Sequence, residues 1–302
     1  MINIGISVSS SYPEVSPQTA ASWMVARARE ARQAGLDTLF VGDHHATSSP
    51  YYQNNVMLAR MLAEWGDKPF GALYLLPLWH PVLLAEQIAS LSALAEGPFV
   101  MQCGLGDTRQ GLAMGIDMRD RVARFTAVLR TLRALWRGDQ VDEDRFWGLS
   151  KAQISPIPDS SVDVWVGATA PPAIARAARL PEGWLASPAL TPNEAGADCG
   201  LYQNACHALD RQQGVTAIRR DILLAETGGA ARERAAPYIA KGYRGIPEQA
   251  LMIGSVEEVT ASMRSLAAQG YSDVIVRNIS ADQSECLETI ALLADVKANL
   301  VG

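Results

Sequence analysis

Two histidines and an aspartate stand together directly behind an apolar run, in the segment LFVGDHHATSS at 39–49. Asp43, His44 and His45 are residue types that can bind a metal ion or transfer a proton near neutral pH. The whole chain has four histidines, so this pair holds half of them. The local sequence leaves three interpretations open: metal ligands, a general acid or base, or ordinary loop residues.

The elements that must position these residues are short apolar runs that alternate with stretches of helical periodicity. The run INIGISV predicts a strand at 2–8, and the next segment predicts a helix at 17–34 that begins on a proline and ends before Gly35. The pairing recurs, and further strands are predicted at 37–42, 70–76, 98–106, 162–168, 183–187, 215–226 and 271–278.

Eight apolar strands that alternate with helices predict a parallel sheet covered on both faces. In a chain of 302 residues, eight such units are typical of a closed (β/α)8 TIM barrel, an α/β fold. A polar segment at 137–161 interrupts the alternation and predicts an insertion after the fourth helix. We expect residues 1–302 to form a single domain, because barrels of this length commonly form one unit.

A TIM barrel carries its chemistry at the carboxyl ends of its strands. Asp43, His44 and His45 follow the second predicted strand and His80 follows the third, so three of the four histidines fall at the predicted mouth. The fourth and fifth strands place small and polar residues there as well: Cys103, Gly104, Gly106, Asp107, Gly167, Ala168 and Thr169.

The composition favours a small molecule as the binding partner. The formal charge is −6, and no cluster of lysine or arginine is long enough to follow a nucleic-acid backbone or an anionic membrane. The first residues, MINIGISVSSSYPEV, have neither the basic start nor the long apolar run of a signal peptide, so we expect a cytoplasmic protein. The four cysteines form no Cys-x-x-Cys pair, which favours reduced thiols over a zinc site or disulfides.

Five blocks of the sequence resemble the bacterial luciferase-like flavin-dependent oxidoreductases, the luciferase-like monooxygenases, and they occur in that family's order. The most specific block is GALYLLPLWHPVLLAEQIASLSALAEGPFVMQCGLGD at 71–107, in which a strand ends in Leu-Pro, leads to His-Pro and returns into a glycine-rich loop. The other blocks lie at 39–45, 121–141, 164–185 and 253–277.

The resemblance implies an enzyme whose barrel binds reduced FMN or the deazaflavin coenzyme F420, with no metal expected. Such an enzyme transfers hydride to a small organic substrate or activates oxygen for it. His44 matches the family's active-site histidine, and the imidazole pKa near 6.5 suits proton transfer at neutral pH. Asp107 matches a glutamate that donates a proton in several deazaflavin-dependent members, although aspartate is one methylene shorter.

The resemblance also implies where the cofactor would lie. Gly104 and Gly106 resemble the loop that lets the backbone approach the cofactor, and Cys103 matches a reactive cysteine of the light-emitting members. The phosphate loop of the family is similar to Gly167, Ala168 and Thr169, which precede a helix that opens with two prolines. On the residues alone, Thr169 could equally be a plain helix N-cap, and Cys103 a buried core residue.

Members of the family often hold a non-proline cis peptide under the flavin ring, which matches Ala72–Leu73 or Leu73–Tyr74 here. They commonly form homodimers through the helices near the second and third strands. Some depend on a separate flavin reductase or dehydrogenase, which would be a partner of this chain. Several aromatic side chains could line an apolar substrate pocket, namely Tyr12, Tyr51, Trp79, Trp147 and Trp184.

Two departures from the family argue against a light-emitting luciferase. Pro98 stands where arginine usually closes the turn after the third helix, and Gly104 stands where those members hold the FMN phosphate with arginine; Arg109 could compensate. The residues leave three alternative functions open. A manganese phosphoesterase needs further aspartate motifs earlier in the chain, and none is visible. A metal-dependent barrel hydrolase needs metal ligands after the first strand, where this sequence has none. The third alternative is a flavin-binding barrel protein without catalytic activity.

Overall fold

The computed structural model describes residues 2–179 and 183–301. Its strands, in chain order, are β1 (Asn3–Val8), β2 (Thr38–Val41), β3 (Phe70–Leu75), β4 (Phe99–Gly104), β5 (Val141–Glu143), β6 (Leu149–Ala152), β7 (Asp163–Gly167), β8 (Gly183–Ala186), β9 (Val215–Leu224), β10 (Met252–Gly254) and β11 (Asp273–Asn278). Its helices are α1 (Pro17–Gln33), α2 (Asn54–Trp65), α3 (Pro81–Leu94), α4 (Thr108–Ala113), α5 (Arg121–Trp136), α6 (Pro171–Ala177), α7 (Pro192–Ala208), α8 (Gly228–Ala240), α9 (Val256–Gln269) and α10 (Gln283–Val301).

Eight parallel strands close into a barrel, which confirms the predicted TIM-barrel fold. Their order is β1, β2, β3, β4, β7, β8, β9 and β11, and the ring closes where β11 pairs with β1. The three-residue strand β10 adds to the edge of β9. The predicted insertion is present between α5 and β7, and it contains the antiparallel pair β5 and β6.

The helix boundaries follow from residues that start or stop a helix. Pro17 and Pro81 stand at the first positions of α1 and α3, where proline's fixed φ suits the helix and its missing N–H costs nothing. Gly35 and Gly66 follow α1 and α2 with φ of 77°, a positive φ that glycine adopts without strain. In the described residues, no helix is both long and apolar enough to cross a membrane.

The barrel interior is filled in two layers of opposite character. The lower layer is an apolar cluster that plugs the barrel, made of Phe40, Val100, Trp165, Ala217 and Ile275. Side chains in a strand return to the same face every second residue, so the next inward layer towards the carboxyl ends consists of Gly42, Gln102, Gly167, Arg219 and Arg277. The plug therefore forms the floor beneath a polar layer that faces the mouth.

Candidate active site

A cavity of about 560 Å³ opens at the carboxyl ends of the strands, above the apolar plug. This volume lies within the range of about 300–1,000 Å³ that small-molecule sites occupy. All five residues of the polar layer line it, together with side chains from the loops that follow β1, β2, β7 and β8: Ser11, Asp43, His44, Thr47, Ser49, Tyr51, Ala168, Thr169, Ser187 and Pro188. The mouth predicted from the sequence is therefore a real cavity.

Asp43 and His45 hold the loop after β2 in place. Asp43 is buried, and its Oδ2 accepts hydrogen bonds from the Leu75 backbone N–H and from Trp79 Nε1, each at 2.8 Å. His45 Nε2 lies 2.9 Å from Asp43 Oδ1, and the His45 backbone N–H donates to Gln110 Oε1 at 2.8 Å. The second histidine of the pair is thus tied to the protein interior.

His44 faces the cavity instead. Its Nε2 lies 3.2 Å from Arg109 Nη2, and its ring lies 5.3 Å from that of Tyr51. Burial, and then the positive charge of Arg109, lower the pKa of His44 below 6.5. Because the arginine can only donate, His44 accepts at Nε2, and the ring is neutral at pH 7.

Asp107 lies outside the cavity lining and caps α4. Its carboxylate accepts from the backbone N–H and the side-chain amide of Gln110, both at 2.8 Å. These hydrogen bonds lower the pKa of Asp107, which favours the ionised form and disfavours proton donation at neutral pH. Arg109, which could have held a phosphate, donates to the carbonyl of Ala46 at 3.1 Å and contacts His44.

The predicted cofactor contacts on β3 and β4 divide by the side of the strand they occupy. Leu73 lines the cavity, whereas Ala72, Tyr74 and Cys103 are fully buried in the core outside the barrel. The Tyr74 hydroxyl donates to Asn55 Oδ1 of α2 at 2.5 Å, so this ring points away from the mouth. Gly104 and Gly106 are partly exposed and lie beside Leu75, next to the mouth.

A non-proline cis peptide on β3 is not found. The bonds Ala72–Leu73 and Leu73–Tyr74 are trans, and within the described residues the cis peptide is Ser155–Pro156 in the insertion. Of the five aromatic residues predicted to line a substrate pocket, Tyr51 lines the main cavity and the other four do not. Trp184, for example, stacks on Tyr202 in the core.

The loop after β7 keeps the cavity position predicted for a phosphate loop. Gly167, Ala168 and Thr169 all line the cavity. The N-cap of α6 is Ala170 and no side chain caps this helix, so Thr169 is not the cap. However, prolines at the first two helical positions remove two backbone N–H groups, and the Ala173 N–H donates to the carbonyl oxygen of Ala170 at 2.8 Å. The helix therefore offers a phosphate few amide donors.

The structure adds functional candidates that the sequence reasoning missed. Gln102 lies on the cavity wall, is 6% exposed, and its Nε2 has no hydrogen-bond partner among the described residues. Three arginines, Arg219, Arg244 and Arg277, also line the cavity. A signal for two of them was available, since Gln102 and Arg277 are polar residues inside otherwise apolar strands.

The chain is similar to proteins of known function. It is 29% identical over 170 residues to an F420-dependent glucose-6-phosphate dehydrogenase of Beutenbergia cavernae; the match covers 51% of this chain and 49% of that enzyme. The chain thus spans about half the length of this curated relative.

Solved structures share the whole fold at low sequence identity. The monooxygenase RslO1 of Streptomyces bottropensis superposes with a TM-score of 0.79 at 19% identity, with both chains fully covered. The oxygenating constituent of 3,6-diketocamphane monooxygenase of Pseudomonas putida, solved in complex with FMN, has a TM-score of 0.79 at 16% identity, covering 99% of each chain. The model of the family described as "luciferase-like monooxygenase" matches residues 3–295, so the chain belongs to the luciferase-like monooxygenase family.

Proposed function

We propose that this protein is a flavin-dependent oxidoreductase that uses reduced FMN or the deazaflavin coenzyme F420 to transfer hydride to a small organic substrate, or to activate oxygen for it. One observation carries the proposal: the cavity at the barrel mouth joins a neutral histidine, His44, to a buried, unpaired amide donor, Gln102. The relatives support both cofactors, because one is named for F420 and another was solved with FMN.

The cavity fits a flavin ring by the chemistry of its walls. A buried amide N–H without a partner costs free energy, so Gln102 Nε2 is suited to a ligand that brings an acceptor. The flavin ring system has carbonyl and nitrogen acceptors along one edge and a flat apolar body. Leu73, on the neighbouring strand, presents an apolar side chain to the same space. Gly167 and Thr169, at the end of the neighbouring strand β7 and in the loop after it, would contact the cofactor from the other side of Gln102.

When bound, the reduced cofactor supplies the hydride or the electrons; the protein supplies proton transfer and binding. His44 is neutral at pH 7 and can accept a proton at Nε2 when the exposed Arg109 side chain moves aside. Asp43 and His45 contribute indirectly, since they fix the loop that carries His44. We assign Asp107 to positioning this loop as well, because Gln110 joins it to His45.

The remaining properties follow from the family and from the surface. We propose that residues 1–302 act as one cytoplasmic domain and form a homodimer through α2 and α3. Large apolar side chains stand exposed on those two helices: Val56 at 70%, Leu83 at 54% and Leu94 at 69%. A separate reductase or dehydrogenase would regenerate the reduced cofactor.

The test is a parallel titration of the purified protein with FMN and with F420, each oxidised and reduced, followed by absorbance and fluorescence. Preference for F420 supports hydride transfer without oxygen, and preference for reduced FMN supports an oxygen-using reaction. With the cofactor that binds, His44→Ala should lower the turnover rate by about 10²-fold and leave the affinity for that cofactor unchanged. The matched control is His80→Ala, since His80 is exposed and outside the cavity lining.

A further inference from the structure

One wall of the cavity concentrates positive charge in a protein whose formal charge is −6. Arg219 on β9, Arg277 on β11 and Arg244 in the segment after α8 all line this wall. The first two face inward from neighbouring strands, where Arg219 pairs with Ile275 and Asp221 pairs with Arg277 in the parallel register. Three guanidinium groups therefore converge on one side of the mouth.

The carboxylate at this wall is already engaged. Asp221 is fully buried, its Oδ1 accepts from Arg219 Nε at 2.9 Å, and its Oδ2 accepts from the Tyr243 hydroxyl at 2.8 Å. One negative charge thus faces three positive charges. Asp43, which follows β2, also lines the cavity, and its carboxylate oxygens accept from Leu75 and Trp79 and contact His45.

Arg277 has little to compensate its charge. It is 9% exposed, and its hydrogen bond is from Nε to the neutral Ser9 hydroxyl at 3.3 Å. Among the described residues, neither Arg277 nor Arg244 forms an ion pair with a carboxylate. A buried charge is normally paired, because moving a charged side chain out of water without a partner costs roughly several kcal/mol.

Arg244 stands where it could close over a bound anion. It is exposed and has a φ of 49°, a left-handed conformation that is strained for arginine. Repulsion by Arg277 is the largest influence on its charge and lowers the pKa of Arg244. An anion between the two guanidinium groups would replace this repulsion with attraction.

We propose that Arg219, Arg244 and Arg277 form a binding site for an oxyanion group, either a phosphate, a sulfonate or a carboxylate. The site makes the ligand of the cavity a negatively charged small molecule. This inference rests on the proposed function for its meaning in catalysis, but the anion site itself needs no cofactor. The oxyanion belongs either to the substrate or to the phosphate of the cofactor, and α6, whose first two residues are prolines, offers that phosphate little.

The experiment is calorimetric titration of the cofactor-free protein with inorganic phosphate and with sulfate, against chloride of matched ionic strength. We expect saturable 1:1 binding that weakens by about ten-fold or more in Arg244→Gln and in Arg277→Gln, since a charge-assisted hydrogen bond is lost. Arg244 is at the exposed rim, so its replacement spares the core, and Arg277→Lys keeps the buried charge. The matched control is Arg137→Gln, which removes an exposed arginine paired with Asp139.

A second measurement identifies which molecule carries the oxyanion. The affinity for the cofactor that binds is measured with and without saturating phosphate. Competition assigns the oxyanion to the cofactor, and an unchanged affinity assigns it to the substrate. No saturable binding by the wild type, or binding that both arginine variants retain, would overturn the inference. If no cofactor binds while phosphate does, the proposed function fails and the anion site stands.

Discussion

At the scale of single residues, the two adjacent histidines have separate tasks. His45 is held against Asp43 at 2.9 Å, while His44 reaches the cavity and contacts Arg109. The sequence identified both residues but could not divide the tasks between them. The division depends on Leu75 and Trp79, which β3 and the turn after it bring to the buried carboxylate of Asp43.

The protonation of His44 gives the first prediction. Burial and Arg109 lower its pKa in the folded protein, so Arg109→Gln should raise that pKa towards 6.5, as an NMR titration of the ring protons would show. Between the lowered pKa and 6.5 the unfolded chain binds more protons, so His44 costs stability as pH falls through this window. The variant should lose less stability there. An unchanged His44 titration in the variant would refute the role of Arg109.

Gln102 gives a prediction that separates function from structure. Its unpaired Nε2 costs stability in the ligand-free protein, so Gln102→Leu, similar in size, should stabilise it by about 1 kcal/mol or more. The same change removes the donor proposed for the cofactor and should weaken cofactor binding by about ten-fold. Thermal unfolding and cofactor titration measure the two effects. A variant that loses both stability and affinity would make Gln102 a structural residue.

At the scale of elements, the alternation of strands and helices was predictable because the apolar runs are continuous and prolines or glycines mark the helix ends. Helix α1 begins at Pro17 as predicted and ends at Gln33, one residue before its predicted end. The short pieces were not predicted. Strand β10 has three residues, and α4 is a separate six-residue helix that begins at the Asp107 cap.

Close contact between β3 and β4 gives a prediction at this scale. A Cβ on Gly71 would lie 1.7 Å from the carbonyl oxygen of Val100, which is backbone of the neighbouring strand. Gly71→Ala should therefore destabilise the barrel by about 1–3 kcal/mol or more. Gly200 in α7 has open space around its Cβ position, so Gly200→Ala should stabilise by about 0.5–1 kcal/mol. Denaturant unfolding checks both signs, and equal effects would contradict the packing argument.

At the scale of the whole molecule, the barrel was predictable and the chemistry of its cavity was only partly so. Its polar layer comes from five strands or their ends and spans residues 42–277, and no local pattern reveals that Gln102, Arg219 and Arg277 line one cavity. The histidine and the glycine-rich segments were accessible through the family resemblance. The proposed binding of an oxyanion by the three arginines could be inferred only from their three-dimensional arrangement.

The quaternary structure gives a prediction at the same scale. If α2 and α3 form the dimer contact, Val56→Glu combined with Leu83→Glu should convert a dimer into a monomer, because buried charges without partners oppose association. Light scattering coupled to gel filtration measures the mass. Leu201→Glu on α7 is the control, since Leu201 is 43% exposed on another face. A wild type that is already monomeric, or a dimeric double variant, would exclude this interface.

The most direct test of the account is cofactor titration of the wild type beside a variant with a blocked cavity. Thr169 is exposed at the mouth, and α6 does not use its hydroxyl, so Thr169→Trp should fill the mouth without disturbing the fold. The account predicts that F420 or reduced FMN binds the wild type, and that binding weakens at least ten-fold in Thr169→Trp while thermal stability is unchanged. Absence of binding by the wild type, or equal binding by the blocked variant, would contradict the placement of the cofactor in this cavity.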